Sequence, residues 1–201
     1  MSPMATQSQS LVCEGDRKRM ETFSELREFV ENKRYSEDRK DTLAALDLGS
    51  IDVPIADIVA GFAALPHCFT LQCCYGHFVC AAEQNPHCLE PIPDDYGGLV
   101  RYRIAYIAFC IENSSRGRAL RDSLSRITAI APGYVQFGSP DWFWEQRVNS
   151  YALQVEPIAH QLKDDAILEI PEALATQRVR DLFFSELREM MAIEMNAHAR
   201  G

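Results

Sequence analysis

The sequence predicts an α+β fold: a mixed or antiparallel β-sheet with helices packed on it, in a single domain with a long C-terminal helix. Three observations predict it. Apolar residues recur at helical spacing in segments 52–65, 115–131 and 171–197, whereas segments 68–73, 101–112 and 148–156 carry β-prone or alternating patterns. Tyr75-Gly76 reads as a turn between two strand-like runs, and a hairpin excludes an all-parallel sheet. The 201 residues are 47% hydrophobic and 24% charged, ordinary globular composition in a chain long enough to bury one substantial core.

Residues 1–16 are polar and read as a disordered tail, with residues 17–201 as the domain. Thr22-Phe-Ser-Glu25 fits a capping box, and Phe23, Leu26, Phe29 and Val30 then share one helical face. A short helix is expected over residues 37–46, stopped near Gly49. Asp52-Val-Pro54 opens the next helix with an acceptor side chain and a proline in the first turn, and Pro66 ends it. Residues 68–73 and a run from Phe78 form the expected hairpin. Pro86, Pro91 and Pro93 mark a loop. Residues 101–112 form the central strand, apolar on both faces toward its end. Asn113-Ser-Ser115 starts a helix that buries Leu120, Leu124, Ile127 and Ala131. Short strands follow at 134–137 and 148–156. The last helix turns Val179, Leu182, Phe183, Leu187 and Met190 inward.

No apolar run approaches the roughly 20 residues that span a bilayer, and the first residues lack the apolar core of a secretory signal. The expectation is a cytoplasmic protein without membrane contact, its seven cysteines reduced. Net charge is −9, which opposes general affinity for nucleic acid. The charge is uneven: six arginines lie between Arg101 and Arg126 against two acids, Glu112 and Asp122. A local anion site on an acidic protein is the implication.

Three segments could carry chemistry. His67, Cys68, Cys73, Cys74, His77, Cys80, His87 and Cys88 concentrate thiols and imidazoles, the ligands zinc prefers. They lack a paired C-x-x-C, so packing of small thiols in a sheet is the plainer reading and zinc the alternative. The helix start at Ser114 and Ser115, with Arg116 and Arg118, could hold a phosphate or carboxylate; solvated arginines are the plainer reading. Trp142 and Trp144 follow a turn and could stack on a base or cap the core.

The order Asp52…Pro-Ile-Ala-Asp-Ile-Val…Leu65-Pro, followed by Phe69-Thr-Leu-Gln-Cys-Cys-Tyr-Gly-His77, resembles the tRNA wybutosine-synthesising methyltransferases of the protein-three type. Their motif is close to Thr-Thr-Ser-Ser-Cys-Ser-Gly-Arg, and Thr70, Cys74 and Gly76 match it in spacing. The resemblance runs from about Phe23 to Met191 and includes a Gly-aromatic-x-x-x-Gly element, Gly133 to Gly138. It implies S-adenosylmethionine-dependent methyl transfer onto a wybutosine precursor, with tRNA met through the local basic patch. The cofactor is then expected at Thr70, Cys74, Gly76, His77 and Gly138, and the substrate at Ser114, Ser115, Arg116, Arg118, Trp142 and Trp144. Gln72 and Cys73 replace the family's serine pair, Tyr75 and His77 its next serine and arginine, Phe137 a further serine, and Phe109 a histidine. A hydroxyl-rich basic pocket thus becomes apolar and thiol-rich. The alternatives are a non-catalytic binder of a small ligand or metal, and a protein-interaction module on the same scaffold.

Overall fold

The structure, a computed structural model, describes residues 25–81, 84–160 and 165–199. Helix α1 is Tyr35–Ala44 and α2 is Ala56–Ala64. Strands β1 (Cys68–Cys74), β2 (His77–Val79), β3 (Val100–Arg103) and β4 (Ala105–Ile111) follow. Then come α3 (Ser115–Arg126), β5 (Val135–Gly138), α4 (Asp141–Gln146), β6 (Ser150–Val155), β7 (Asp165–Leu168) and the long α5 (Ile170–Ala199). This is the α+β architecture the sequence predicts. No helix among the described residues is long and apolar enough to cross a membrane.

The strands form two antiparallel sheets, ordered β1-β4-β6-β5 and β2-β3-β7. In β4, Ile107, Phe109 and Ile111 enter the main core with Phe62 of α2, Leu120 of α3, Leu153 of β6 and Phe183 of α5. Cys110 turns the other way, into a smaller cluster with Tyr35 of α1 and Phe69. Helices therefore cover both faces of the first sheet, which is why β4 is apolar on both sides.

The expected hairpin is not formed. One antiparallel ribbon instead runs through both sheets. Cys74 pairs with Tyr106 in the first, and His77 pairs with Arg103 in the second, in continuous register. Both chains of the ribbon break at the same level, one at Tyr75-Gly76 and the other at Ile104. Gly76 lies at φ +89°, and a Cβ there would approach Ala105 Cβ to 2.7 Å. Glycine alone fits this close crossing. The break leaves the Ala105 amide without a ladder partner. The Tyr102 hydroxyl accepts from it at 2.9 Å and donates to the Val155 carbonyl at 2.8 Å, tying the sheets together. Arg180 of α5 seals the opposite side: it donates to the Gly76 carbonyl at 2.9 Å between the rings of Tyr75 and Phe78.

Further expectations need correction. Thr22 and Phe23 lie outside the described residues, and Leu26 to Val30 carry no regular secondary structure in place of the expected helix. Their polar groups are held from a distance: Asn149 Oδ1 accepts from the Val30 amide, and Ser139 Oγ from the Arg27 amide. Gly49 lies in a separate 3-10 turn over Leu48–Ser50, after α1 has ended. The segment around Trp142 is the short helix α4. Leu182 is 46% exposed; the buried stripe of α5 is Ala173, Thr176, Arg180, Phe183, Leu187 and Met191. Strand β7 has no counterpart among the expected elements.

Candidate functional site

The kink in the ribbon builds the site. Residues three apart on a straight strand point to opposite faces. Cys74 and His77 are three apart, yet the left-handed turn at Gly76 brings their side chains together. Asp52 completes the group. Its place before Pro54 suits a helix cap, but its side chain caps no helix amide. Its Oδ2 accepts instead from the Tyr75 amide at 2.8 Å and pairs with His77 Nε2 at 3.4 Å. The ligand atoms of Asp52, Cys74 and His77 all lie within 4.8 Å of one another.

The hydrogen bonds define the protonation of His77. Its Nδ1 faces the Cys88 carbonyl at 3.2 Å and its Nε2 faces a carboxylate. Both partners only accept, so both nitrogens carry a proton. The Asp52 carboxylate, and then Cys74, hold His77 as an imidazolium and push its pKa up to about 10, although the ring is buried. The same contact lowers the pKa of Asp52 against the opposing effect of its burial. Burial pushes the neighbouring Cys73 thiol up to about 12, so it stays protonated.

The group opens onto a cavity of about 610 Å³. Its walls are several residues between 41 and 52, the outer part of β1 from Thr70 to Cys74, and His77, His87, Arg103, Tyr106 and Arg147. Strand β1 is the edge of its sheet, and its register slips by one residue between Thr70 and Gln72. Such bulges re-aim side chains and recur beside functional sites. Thr70 Oγ1 is buried and has no hydrogen-bond partner among the described residues. Both signs of charge line the cavity: Asp41, Asp47 and Asp52 face it with Arg103 and Arg147. Arg147 is anchored by Asp38 at 2.8 Å.

The residues singled out in the sequence are only partly brought together. Thr70, Cys74 and His77 line one cavity. Gly76 shapes the kink beside it. Gly138 ends β5, the far edge of the sheet from β1, roughly 14 Å away at the usual strand spacing. Ser114 and Ser115 lie beyond the opposite end of the ribbon, where Cys68 pairs with Ile111. The six residues from Cys68 to Cys74 span about 20 Å at strand rise, so these serines, with Arg116 and Arg118, do not share the cavity. Local contacts occupy this helix start. Ser114 Oγ caps the Gly117 amide at 3.1 Å, and Arg116 meets His198 at 2.8 Å. Arg118 donates to Asn113 and lies over the Phe29 ring. Trp144 packs edge-on against Tyr151, whereas Trp142 is 67% exposed; neither reaches the cavity. The basic segment is thus divided, with Arg103 at the cavity and Arg116 and Arg118 at the distant end. Asp52 and Arg147 are cavity residues that sequence reasoning did not select, whereas His87 belongs to the thiol and imidazole stretch it singled out.

No protein-family model matches the chain, and no curated protein matches it by sequence. Among solved structures, the PH1069 protein from Pyrococcus horikoshii is similar to it, with a TM-score of 0.45 and 11% sequence identity. The similarity covers 82% of this chain and 94% of that one, and a likeness at that level assigns neither fold nor function.

Proposed function

We propose that the cavity beside the ribbon kink binds S-adenosylmethionine, and that the protein is a methyltransferase-like protein of the kind its sequence resembles. The observation that carries this reading is the cavity of about 610 Å³ lined by Thr70, Cys74 and His77, three of the positions that the resemblance assigns to the cofactor. Its size lies within the roughly 300–1,000 Å³ usual for small-molecule sites. Its charges suit the ligand. Carboxylates at 41 and 47 answer a sulfonium, an ammonium or ribose hydroxyls, and the two arginines answer a carboxylate. Methyl transfer requires the acceptor to be aligned with the sulfonium methyl, so positioning and fixed charge supply most of the catalysis. The acceptor implied by the resemblance is a wybutosine precursor in tRNA.

Calorimetry and thermal unfolding with S-adenosylmethionine and S-adenosylhomocysteine test the reading. Ligand at about 100 times its dissociation constant adds roughly 2.7 kcal/mol of stability. Thr70→Val removes a buried hydroxyl that has no partner in the free protein, so ligand-free stability holds or rises. Absence of heat and of any thermal shift with both ligands overturns the proposal. Binding without methyl incorporation into precursor tRNA leaves a non-catalytic small-ligand protein.

A further inference from the structure

We propose that Asp52, Cys74 and His77 form a site for a divalent transition metal of the zinc type, with one coordination position open to the cavity. The proposal deepens the cavity reading by giving that site a resident ion, but its ligand set stands on the protein's own geometry.

Four observations carry it. The three side chains offer one oxygen, one sulfur and one nitrogen, and their ligand atoms lie within 4.8 Å of one another. Zinc accepts all three donor types, at about 2.0–2.3 Å, which sets tetrahedral ligands roughly 3.3–3.8 Å apart. His77 Nε2 and Asp52 Oδ2 are already 3.4 Å apart, so closing the site asks Cys74 to move by only about 1 Å. The outer contacts are those of a metal ligand set. The Cys88 carbonyl takes the Nδ1 side of His77 at 3.2 Å, which fixes the ring and leaves Nε2 for the ion. The Tyr75 amide steadies the Asp52 carboxylate at 2.8 Å.

The same contacts argue against a thiol–imidazole–carboxylate relay. A relay presents one ring nitrogen to the thiol and the other to the carboxylate. Here a backbone carbonyl holds Nδ1 and the carboxylate holds Nε2, while the three donor atoms lie within 4.8 Å of one another. Convergence of three donors on one point suits an ion. Metal binding displaces the Nε2 proton of His77 and the thiol proton of Cys74 to solvent, and the resulting neutral imidazole, thiolate and carboxylate balance a divalent cation in a half-buried place. All three residues line the cavity, so the fourth position of a tetrahedral ion faces it. Three protein ligands and one open position is the arrangement of reactive zinc sites, where water or a substrate donor binds.

The test uses the full chain, stripped with chelator and then titrated with zinc or cobalt alone at neutral pH. The expected result is one equivalent bound, with cobalt producing a thiolate-to-metal charge-transfer band. Cys74→Ser abolishes the band. Asp52→Asn and His77→Gln weaken uptake at least tenfold, and Cys80→Ser, away from the cavity, leaves uptake unchanged. Absence of the thiolate band in the unmodified protein overturns the proposal without reliance on any variant, and so does one-equivalent uptake that survives Cys74→Ser. S-adenosylmethionine binding is measured separately on the stripped protein. Metal uptake without methyl-donor binding supports the metal site and removes the methyl-donor reading. Donor binding without metal uptake does the reverse.

Discussion

Asp52 and His77 hold each other's charge, and their separation from solvent makes that contact count. His77 is 2% exposed and the Asp52 side chain 23%. His77 has its pKa raised on folding, so its contribution in the metal-free protein is complete below about pH 6.5, the free imidazole value, and is lost as pH rises toward about 10. Asp52 has its pKa lowered, so its contribution is present above about pH 3.9 and is lost as pH falls. The pair therefore stabilises most between these limits. Asp52→Asn is expected to cost about 1.5–3 kcal/mol at pH 6, the scale of a hydrogen bond to a charged group. The gap to the unmodified protein narrows by pH 10. Urea unfolding at pH 6, 8 and 10 measures it, and a gap that widens with pH contradicts the pairing. His67 behaves in the opposite sense. It is buried, neither ring nitrogen has a hydrogen-bond partner among the described residues, and burial and then Arg116 lower its pKa. A base lowered on folding destabilises the protein as pH falls below about 6.5. His67→Leu is expected to be neutral or stabilising at pH 7.5 and more stabilising at pH 5.5, by the same unfolding measurement.

The kinked ribbon is the element on which the site depends. A straight strand would send Cys74 and His77 to opposite faces, and the glycine between them cancels that alternation. Gly76→Ala forces a side chain into positive φ and against Ala105. The cost is expected to be at least about 2 kcal/mol, the middle of the range for backbone strain. Ligand binding should fall with it. Gly133 has open space around its missing Cβ and serves as the control, with Gly133→Ala changing stability by less than about 0.5 kcal/mol. Equal losses at the two positions would contradict the structural role given to Gly76. Local sequence could not reveal the kink. Tyr75-Gly76 carries the same residues whether the chain reverses or merely bends, and the deciding fact is the pairing of His77 with Arg103 across the loop that separates them. The irregular segment at Leu26 to Val30 was hidden for a similar reason. Its spacing suits a helix, yet the group that holds Val30 is Asn149, 119 positions away.

At the scale of the molecule, helices α2, α3 and α5 and strands β1, β4 and β6 were legible because each is written in local periodicity. The cavity was half legible. Thr70, Cys74 and His77 stand in one short motif, but Asp52 stands two residues before a proline and reads equally well as a helix cap. The cofactor position expected at Gly76 and the substrate position expected at Ser115 fall apart because β1 and β4 pair along their whole length, which carries the two ends of the ribbon about 20 Å apart. Any small ligand must therefore choose one end, and the cavity is at the Cys74 end. A crystal structure grown with S-adenosylhomocysteine tests this most directly. The account predicts ligand density between β1 and the segment from 41 to 52, in contact with Thr70 and near His77. Density at the Ser114 end, or a cavity left empty at saturating ligand, would contradict it.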